Sequence, residues 1–266
     1  MKRVLVIGAN SYIGKKFYEY VKLEKKEEIL IDMVSASDDG WRKVDLSQYD
    51  SILHLAAIVH KKEKKSMKEL YYQVNYRLAV EVAKNAKENR VGQFIFMSTA
   101  AVYGDGATCI TKNTVPKPTT YYGKTKLAAE NDINKLSDDK FKVAIIRPPM
   151  VYGEGCKGNY AKLEKLAKYT PIFPEYHNKR SAIEINNLLI VLSSVVLEEQ
   201  YGFFHPQNKE YMDTCVEILK ISKNIGKRTV LVKIPTSIIK CSNCILPTFK
   251  KMFADCYYKH ADYLNF

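Results

Sequence analysis

The chain lacks a long hydrophobic run: none of its 266 residues begins an uninterrupted apolar stretch of about 18, the length that a membrane-spanning helix needs. We therefore predict no membrane span. The chain also lacks internal repeats and low-complexity linkers, and its 46% hydrophobic and 27% charged residues are typical of a globular protein. Met1 to Arg3 lead directly into an apolar run, so we expect no secretory leader and a cytoplasmic protein.

The six cysteines have no regular spacing, and in a chain that looks intracellular we expect reduced thiols. Cys241 and Cys244, with Cys256 and His260, resemble a zinc ligand set in spacing. However, the apolar, proline-containing stretch that follows Cys244 lacks the turn residues that usually shape a zinc knuckle. Small buried thiols explain these cysteines as well, so we predict no metal site.

The chain has little negative charge to balance its lysines, and its net charge is +13. Such a charge favours anionic partners: nucleotide phosphates, nucleic acid or an acidic membrane surface. The lysines are scattered, and the one run, at 61–65, is typical of a solvated loop or helix start. No basic–aromatic stacking module is evident, so we expect no nucleic-acid partner. The basic, apolar tail at 235–251 favours a packed helix on the substrate side over a contact with a membrane surface.

Apolar runs alternate with helical patterns along the first part of the chain. The runs are 3–7, 29–34, 49–57, 93–98 and 141–147, and the helical patterns are 11–22, 67–89 and 121–136. This alternation predicts an α/β protein with a doubly wound parallel sheet. Beyond it the pattern loosens into helices at 157–169, 187–199 and 211–224 and short strands within 180–185 and 230–233. We therefore predict a cofactor domain at 1–155 and a small mixed α/β substrate-binding region at 156–266, partly interleaved with it.

A glycine turn follows the first predicted strand. Gly8 permits a tight turn, Gly14 permits close packing of helix on strand, and Ser11 stands where a middle glycine is usual. A strand, a glycine turn and a helix place backbone N–H groups and a helix N-terminus against a pyrophosphate. The pattern therefore predicts a dinucleotide site.

Further residues near predicted strand ends fit a dinucleotide. Asp32 ends the second strand, where a carboxylate accepts bonds from the adenosine ribose and repels a 2′-phosphate, which favours NAD over NADP. Asp45 could bond the adenine amino group. Ala56 and Ala57 are small enough for a flat cofactor to lie against the backbone. His54, on an apolar strand, is interpreted as a core residue.

Tyr122 and Lys126 are four residues apart in the third helical pattern, so they share one helix face. A cation near the Tyr122 hydroxyl favours the phenolate and lowers the pKa of the phenol from about 10. Tyr122 is therefore a candidate general acid/base. Asn75, inside the helical pattern 67–89, could help to position the active-site strand.

Taken together and in order, these motifs resemble the extended short-chain dehydrogenase/reductase family, in its nucleotide-sugar epimerase/dehydratase branch, whose sheet has the Rossmann topology. The resemblance runs from Gly8 to about Leu188. The motifs that carry it are the glycine turn, Asp32, His54-Leu55-Ala56-Ala57, Asn75, Ser98-Thr99 with Val102-Tyr103-Gly104, Tyr122-Gly123-Lys124-Thr125-Lys126, Arg147-Pro148-Pro149 with Val151-Tyr152-Gly153, and Arg180-Ser181.

The resemblance implies roles for single residues. Tyr122 would take a proton from a sugar hydroxyl as hydride moves to the nicotinamide, Lys126 would bond the nicotinamide ribose, and Thr99 would hold the reacting oxygen. The implied cofactor-binding set is Gly8, Asn10, Ser11, Tyr12, Ile13, Gly14, Asp32, Asp45, Leu46, Leu55, Ala56, Ala57, Asn75, Ser98, Tyr122, Lys126 and Pro148.

On the substrate side, Arg180 matches an arginine that pairs with a diphosphate, and Asn159 could touch the nucleotide. Dehydratases of the branch carry acidic residues directly after the Ser/Thr position, whereas this chain has Ala100 and Ala101, which argues against a 4,6-dehydratase. A UDP-sugar 4-epimerase leads, a 4-keto nucleotide-sugar reductase is the alternative, and a non-catalytic dinucleotide- or RNA-binding relative is a third. The two long helices could form the face of a homodimer, as in the family.

Overall fold

Twelve strands and seven α-helices make up the described part of the chain. The structure, a computed structural model, describes residues 1–37, 40–59, 63–233 and 254–262. The strands are β1 (Lys2–Ile7), β2 (Ile29–Val34), β3 (Ser51–His54), β4 (Gln93–Met97), β5 (Cys109–Ile110), β6 (Lys142–Ile146), β7 (Met150–Tyr152), β8 (Ile172–Glu175), β9 (Ala182–Glu184), β10 (Gly202–Phe204), β11 (Val230–Lys233) and β12 (Tyr257–Tyr258). The helices are α1 (Tyr12–Glu24), α2 (Lys68–Tyr72), α3 (Leu78–Glu88), α4 (Tyr121–Asn134), α5 (Asn159–Tyr169), α6 (Ile185–Leu197) and α7 (Thr214–Asn224).

The central sheet has six parallel strands in the order β10-β6-β4-β3-β1-β2. The chain passes from β1 to β2 on one side and returns to β3 on the other, so the winding direction reverses between β1 and β3. Ligands of open parallel sheets bind in the crevice at such a reversal, outside the carboxyl ends of the strands. Ile7, Val34 and His54 are paired and mark this edge. The fold class predicted from the sequence is confirmed.

The strands of the central sheet are largely apolar because both faces of the sheet are buried. Successive side chains of β1 alternate between two cores: Val4 and Val6 pack with α1 and α6, while Leu5 and Ile7 pack with α3 and α4. All four side chains are buried. The sheet is therefore fixed between two helical layers, and its carboxyl edge is held rigidly.

The second helical pattern, predicted as one helix at 67–89, contains a π-helical turn. Residues Gln73–Arg77 form this turn between α2 and α3. A π turn inserts one residue into the helical repeat and often occurs at functional sites. Here it contains Asn75, whose side chain is fully buried.

Residues beyond 155 contribute to both parts of the molecule. β10 pairs with β6 at the edge of the main sheet, and α6 packs against α1. By contrast, α5 and α7 pack together over the small parallel pair β8 and β11. The sequence did not indicate β10, because three residues are too few to show a period.

The C-terminal segment, residues 254–262, returns across the mouth of the sheet. Its strand β12 pairs with β5, and the backbone of Cys256 pairs with that of Arg180 in an isolated β-bridge. Tyr258 is buried, and its hydroxyl donates to the carbonyl of Arg147 at 2.8 Å. Cys241, Cys244 and the tail at 235–251 lie outside the described residues. Among the helices that are described, none combines the length and the apolar character needed to cross a membrane.

Candidate active site

A cleft of about 1150 Å³ opens at the carboxyl edge of the sheet, above β1, β3 and β4. It brings together most of the site residues that were predicted from the sequence. Those at the cleft are Gly8, Asn10, Ser11, Tyr12, Ile13, Leu55, Ala56, Ala57, Ser98, Thr99, Tyr122, Lys126, Pro148, Asn159 and Arg180.

The glycine turn packs tightly against the residues that follow β3. Gly8 has φ +118°, and a Cβ there would lie 2.9 Å from the backbone nitrogen of Ala56. Ser11 caps α1, because its hydroxyl accepts the N–H of Gly14 at 3.0 Å. Gly14 lies behind this cap and packs on Leu55 without lining the cleft. The turn thus leaves backbone and a capped helix N-terminus facing the cleft.

This arrangement suits a dinucleotide. The approach of Gly8 to Ala56 leaves no room for a side chain, so a flat group can lie directly against the backbone at this point. The N-terminus of α1 supplies partial positive charge for a pyrophosphate. Ser35 and Ser37, just after β2, add hydroxyl groups on the same side of the cleft. The residues present therefore fit NAD.

Asp32 does not reach the cleft, contrary to expectation. Its register partner is Leu5, so it lies two residues before the end of β2, where Ile7 pairs with Val34. Its carboxylate accepts a hydrogen bond from Tyr49 at 3.0 Å and from Arg3 at 3.3 Å. The sequence predicted the strand correctly. However, β2 stays paired with β1 for two residues after Asp32, so Ser35 and Ser37 occupy the positions at the edge of the cleft.

Asp45 and Leu46 are also displaced from the cleft. Asp45 caps the short 3₁₀ helix Leu46–Gln48 and accepts bonds from the hydroxyl of Ser47 at 2.6 Å, the side chain of Gln48 at 3.1 Å and the amide of Ser47 at 3.1 Å. These bonds lower the pKa of the Asp45 carboxyl. Leu46 is buried in the core shared with α3 and α4. Asp45 therefore has a local structural partner for each oxygen.

Asn75 acts on the cleft through the backbone. Its side-chain oxygen accepts the N–H of Ile58 at 2.7 Å, and its amide donates to the Ile58 carbonyl at 3.2 Å. Ile58 lines the cleft, and Asn75 does not. The side chain thus fixes the segment after β3, and we expect it to position this wall rather than to touch a cofactor.

Thr99 and Tyr122 face each other in the cleft. Thr99 follows β4, and Tyr122 is the second residue of α4. Burial raises the pKa of Tyr122 to about 12, and a hydrogen bond from the Thr99 side chain opposes this shift. The predicted lowering of the Tyr122 pKa by Lys126 was wrong for this arrangement, because Lys126 is not among the groups that perturb the phenol.

The Lys126 amine points to the end of β4 instead. It donates to the carbonyl of Met97 at 2.8 Å and lies 4.4 Å from the centre of the Phe96 ring. Burial lowers the pKa of Lys126 to about 7, and the nearby Glu130 carboxylate opposes that shift. Lys126 still lines the cleft, as Thr99 does.

A buried ion pair supports the part of the cleft that contains Lys126. Glu130, one helical turn after Lys126, is fully buried and forms a two-pronged salt bridge with Arg147, with the closest N–O distance 2.5 Å. Ser98 also donates to Glu130. Arg147 donates in turn to the hydroxyl of Tyr103 at 2.8 Å. The sequence did not nominate Glu130, although its spacing of four from Lys126 was visible.

Arg180 also lines the cleft, next to the segment that contains Ala254 and Cys256. Its guanidinium donates to the carbonyl of Ala254 at 2.9 Å. Burial lowers the pKa of Arg180, and the nearby Cys256 and Asp255 partly oppose this shift. Asn159 is the first residue of α5 and also faces the cleft. The sequence missed that residues 254–258 line this side, because the segment is far away along the chain.

A further residue that the sequence missed is Glu63, which lines the cleft beside Tyr122. Its only sequence context was the lysine run, which favoured a solvated loop. In the structure both carboxylate oxygens bind the start of α4: one accepts the N–H of Tyr121 at 2.8 Å and the other that of Tyr122 at 2.9 Å.

Comparison with known proteins agrees with this fold. The model of the NAD dependent epimerase/dehydratase family matches residues 4–171. UDP-glucose 4-epimerase of Vibrio cholerae is 30% identical over 222 residues, which cover 73% of this chain and 66% of that protein, slightly under two thirds of its length. The chain belongs to the NAD dependent epimerase/dehydratase family.

Solved structures show the same fold at low identity. UDP-N-acetylglucosamine 4-epimerase of Bacillus cereus superposes with a TM-score of 0.73 at 17% identity, covering 88% of both chains. A dTDP-4-dehydrorhamnose reductase of Clostridium acetobutylicum superposes with a TM-score of 0.71 at 20% identity, covering 87% of this chain and 83% of that one. These known proteins thus include two epimerases and a reductase, each named for a nucleotide sugar.

Proposed function

We propose that the protein is a UDP-sugar 4-epimerase. The observation that carries this proposal is that Thr99, Tyr122, Lys126 and Arg180 all line the same cleft. The 30% identity to a UDP-glucose 4-epimerase supports UDP as the nucleotide. Thr99, Tyr122 and Lys126 are the catalytic residues of the proposal, and Asn159 and Arg180 bind the substrate.

Each group has a task that its surroundings suit. Bound NAD would supply the acceptor and later the donor of the hydride at sugar C4. Tyr122, as the phenolate, would take the proton of the sugar hydroxyl and, as the phenol, would return it, and the Thr99 hydroxyl, which faces Tyr122 in the cleft, would hold the reacting oxygen. Lys126, which lines the same cleft, would bond the cofactor ribose. Ala100 and Ala101 line the cleft and have no proton to exchange, so the sugar keeps its other hydroxyls.

The activity is tested with purified protein, catalytic NAD, and UDP-glucose, UDP-galactose and their N-acetyl forms. We expect interconversion of a glucose/galactose pair without net change in NADH absorbance. A net loss of NAD(P)H absorbance with a 4-keto nucleotide sugar would instead establish a reductase, which the likeness to the reductase fold makes the second candidate. Failure to convert any nucleotide sugar in either assay would contradict both.

Arg180→Ala should weaken substrate binding. A guanidinium can hold two diphosphate oxygens at once, so its loss should raise the KM for the nucleotide sugar by about tenfold or more, with a smaller effect on NAD binding. Arg180→Lys keeps the charge but loses the planar guanidinium, so its KM should lie between those of the wild type and Arg180→Ala. Arg228→Ala, an exposed arginine outside the cleft, is the control. An unchanged KM in Arg180→Ala would contradict the assignment.

We also propose a homodimer formed by the helical segment 67–89, which contains α2 and α3, and by α4; the two pack side by side on one face of the sheet. Light scattering after size exclusion would measure the mass. A monomer at all concentrations used in the assay would contradict the proposal.

A further inference from the structure

The start of α4 is bound by a carboxylate from a distant part of the chain. Glu63 lies 58 and 59 residues before Tyr121 and Tyr122, whose backbone N–H groups it accepts. It follows the segment after β3 that lines the cofactor side of the cleft. One side chain therefore joins the cofactor wall to the helix that carries the candidate acid/base.

The N–H groups of residues 121–123, which have no partner within the helix, all have one outside it. Glu63 accepts those of Tyr121 and Tyr122, and the Thr120 hydroxyl accepts that of Gly123 at 3.0 Å. The Thr120 carbonyl accepts the N–H of Lys124 at 2.9 Å, which is the first regular bond of the helix. A cap residue usually satisfies only one of the first N–H groups. Glu63 satisfies two more, and its negative charge suits a helix N-terminus.

The position of Tyr122 makes this contact consequential. Tyr122 is the second residue of its helix, where helices fray most readily. Its hydroxyl must stay beside Thr99 to act on a bound sugar. A displacement of about 1 Å at such a group can reduce a rate 10²-fold. The amide of Tyr122 itself is one of the two groups that Glu63 holds.

We propose that Glu63 is a positioning residue that fixes the first turn of α4 and so keeps the Tyr122 hydroxyl beside Thr99. Its kinetic consequence rests on the proposed function. A contact between Glu63 and the sugar is the competing role, since Glu63 lines the cleft. Both of its oxygens are already used by backbone amides, which favours positioning.

Three variants separate the roles. Glu63→Ala removes both acceptors, Glu63→Gln leaves one acceptor and turns an NH₂ group toward the second N–H, and Glu63→Asp keeps both acceptors on a shorter side chain. We expect Glu63→Ala to lower kcat about 10- to 100-fold, with the KM for the nucleotide sugar changed by less than about threefold. Glu63→Asp should recover most of kcat, and Glu63→Gln should recover less.

A measurement independent of turnover is amide hydrogen exchange by NMR. In Glu63→Ala the amides of Tyr121 and Tyr122 should exchange about tenfold faster or more than in the wild type. The matched control is Asp213→Ala. Asp213, equally half-buried, accepts two amides at the start of α7, those of Cys215 at 2.8 Å and Val216 at 3.1 Å, and lies outside the cleft. The Asp213→Ala variant should show faster amide exchange at the start of α7 and an unchanged kcat.

The outcomes are distinct. Unchanged exchange at Tyr121 and Tyr122 in Glu63→Ala would overturn the inference, whatever the activity. A raised KM with unchanged kcat would overturn it in favour of a substrate contact. If the wild type converts no nucleotide sugar, the proposed function fails, and the exchange experiment still decides whether Glu63 holds the helix.

Discussion

Tyr122→Phe should lower turnover of a UDP-sugar about 10²-fold or more while leaving NAD binding near normal. The substitution deletes one hydroxyl and keeps the ring, so the packing of α4 stays intact. The lost group is the hydroxyl that lies beside Thr99 in the cleft. Steady-state rates on the UDP-sugar that the wild type converts, together with NAD titration by fluorescence, measure the two effects separately.

The neighbouring tyrosine is a matched control for this variant. Tyr121 precedes Tyr122 on α4, is also half-buried, and does not line the cleft. Tyr121→Phe removes the same atom from the same helix turn and keeps the backbone amide that Glu63 binds. It should retain turnover close to the wild type. Equal rates in Tyr122→Phe and the wild type would remove Tyr122 from the catalytic set.

Glu130→Ala should destabilise the fold by about 3–5 kcal/mol, because it leaves the buried charge of Arg147 without its partner. The Arg147 side chain is 10% exposed and that of Glu130 1%. Hydrogen bonds to Glu130 raise the pKa of Arg147 despite its burial, so the guanidinium stays charged. Urea unfolding, with the midpoint and slope fitted together, measures the loss.

A surface pair of the same chemistry provides the control. Arg42 and Glu81 also form a two-pronged salt bridge, at 2.7 Å, but their side chains are 41% and 49% exposed. Glu81→Ala should cost about 1 kcal/mol or less, because water solvates both charges in either state. If Glu130→Ala cost no more than Glu81→Ala, the buried pair would not support the wall that carries Lys126.

Local patterns predicted the secondary structure well where elements were long. Helix α4 was expected at 121–136 and spans Tyr121–Asn134, and the apolar run at 29–34 is β2. Such elements are set by side-chain periodicity and capping groups within a few residues. Strand β10 and the π turn were missed. Three residues carry no readable period, and a π turn differs from an α-helix by a single inserted residue.

The cleft was predicted in part for a related reason. Gly8, Thr99 and Tyr122 lie at ends of elements, where a parallel sheet brings distant residues together. Asp32 and Asp45 were expected at the same edge and are not there. Their placement depends on the register between strands and on local capping bonds, neither of which a single run of residues specifies.

The order of strands and helices, the glycine turn and the pairing of Tyr122 with Lys126 on one helix face came from the sequence alone, because each depends on residues close together in the chain. Only the tertiary structure decided which groups surround them. Burial, not Lys126, dominates the pKa of Tyr122, and Glu63 and the Glu130–Arg147 pair hold the catalytic wall. These are effects of desolvation and of contacts between distant segments, which exist only once the chain has folded.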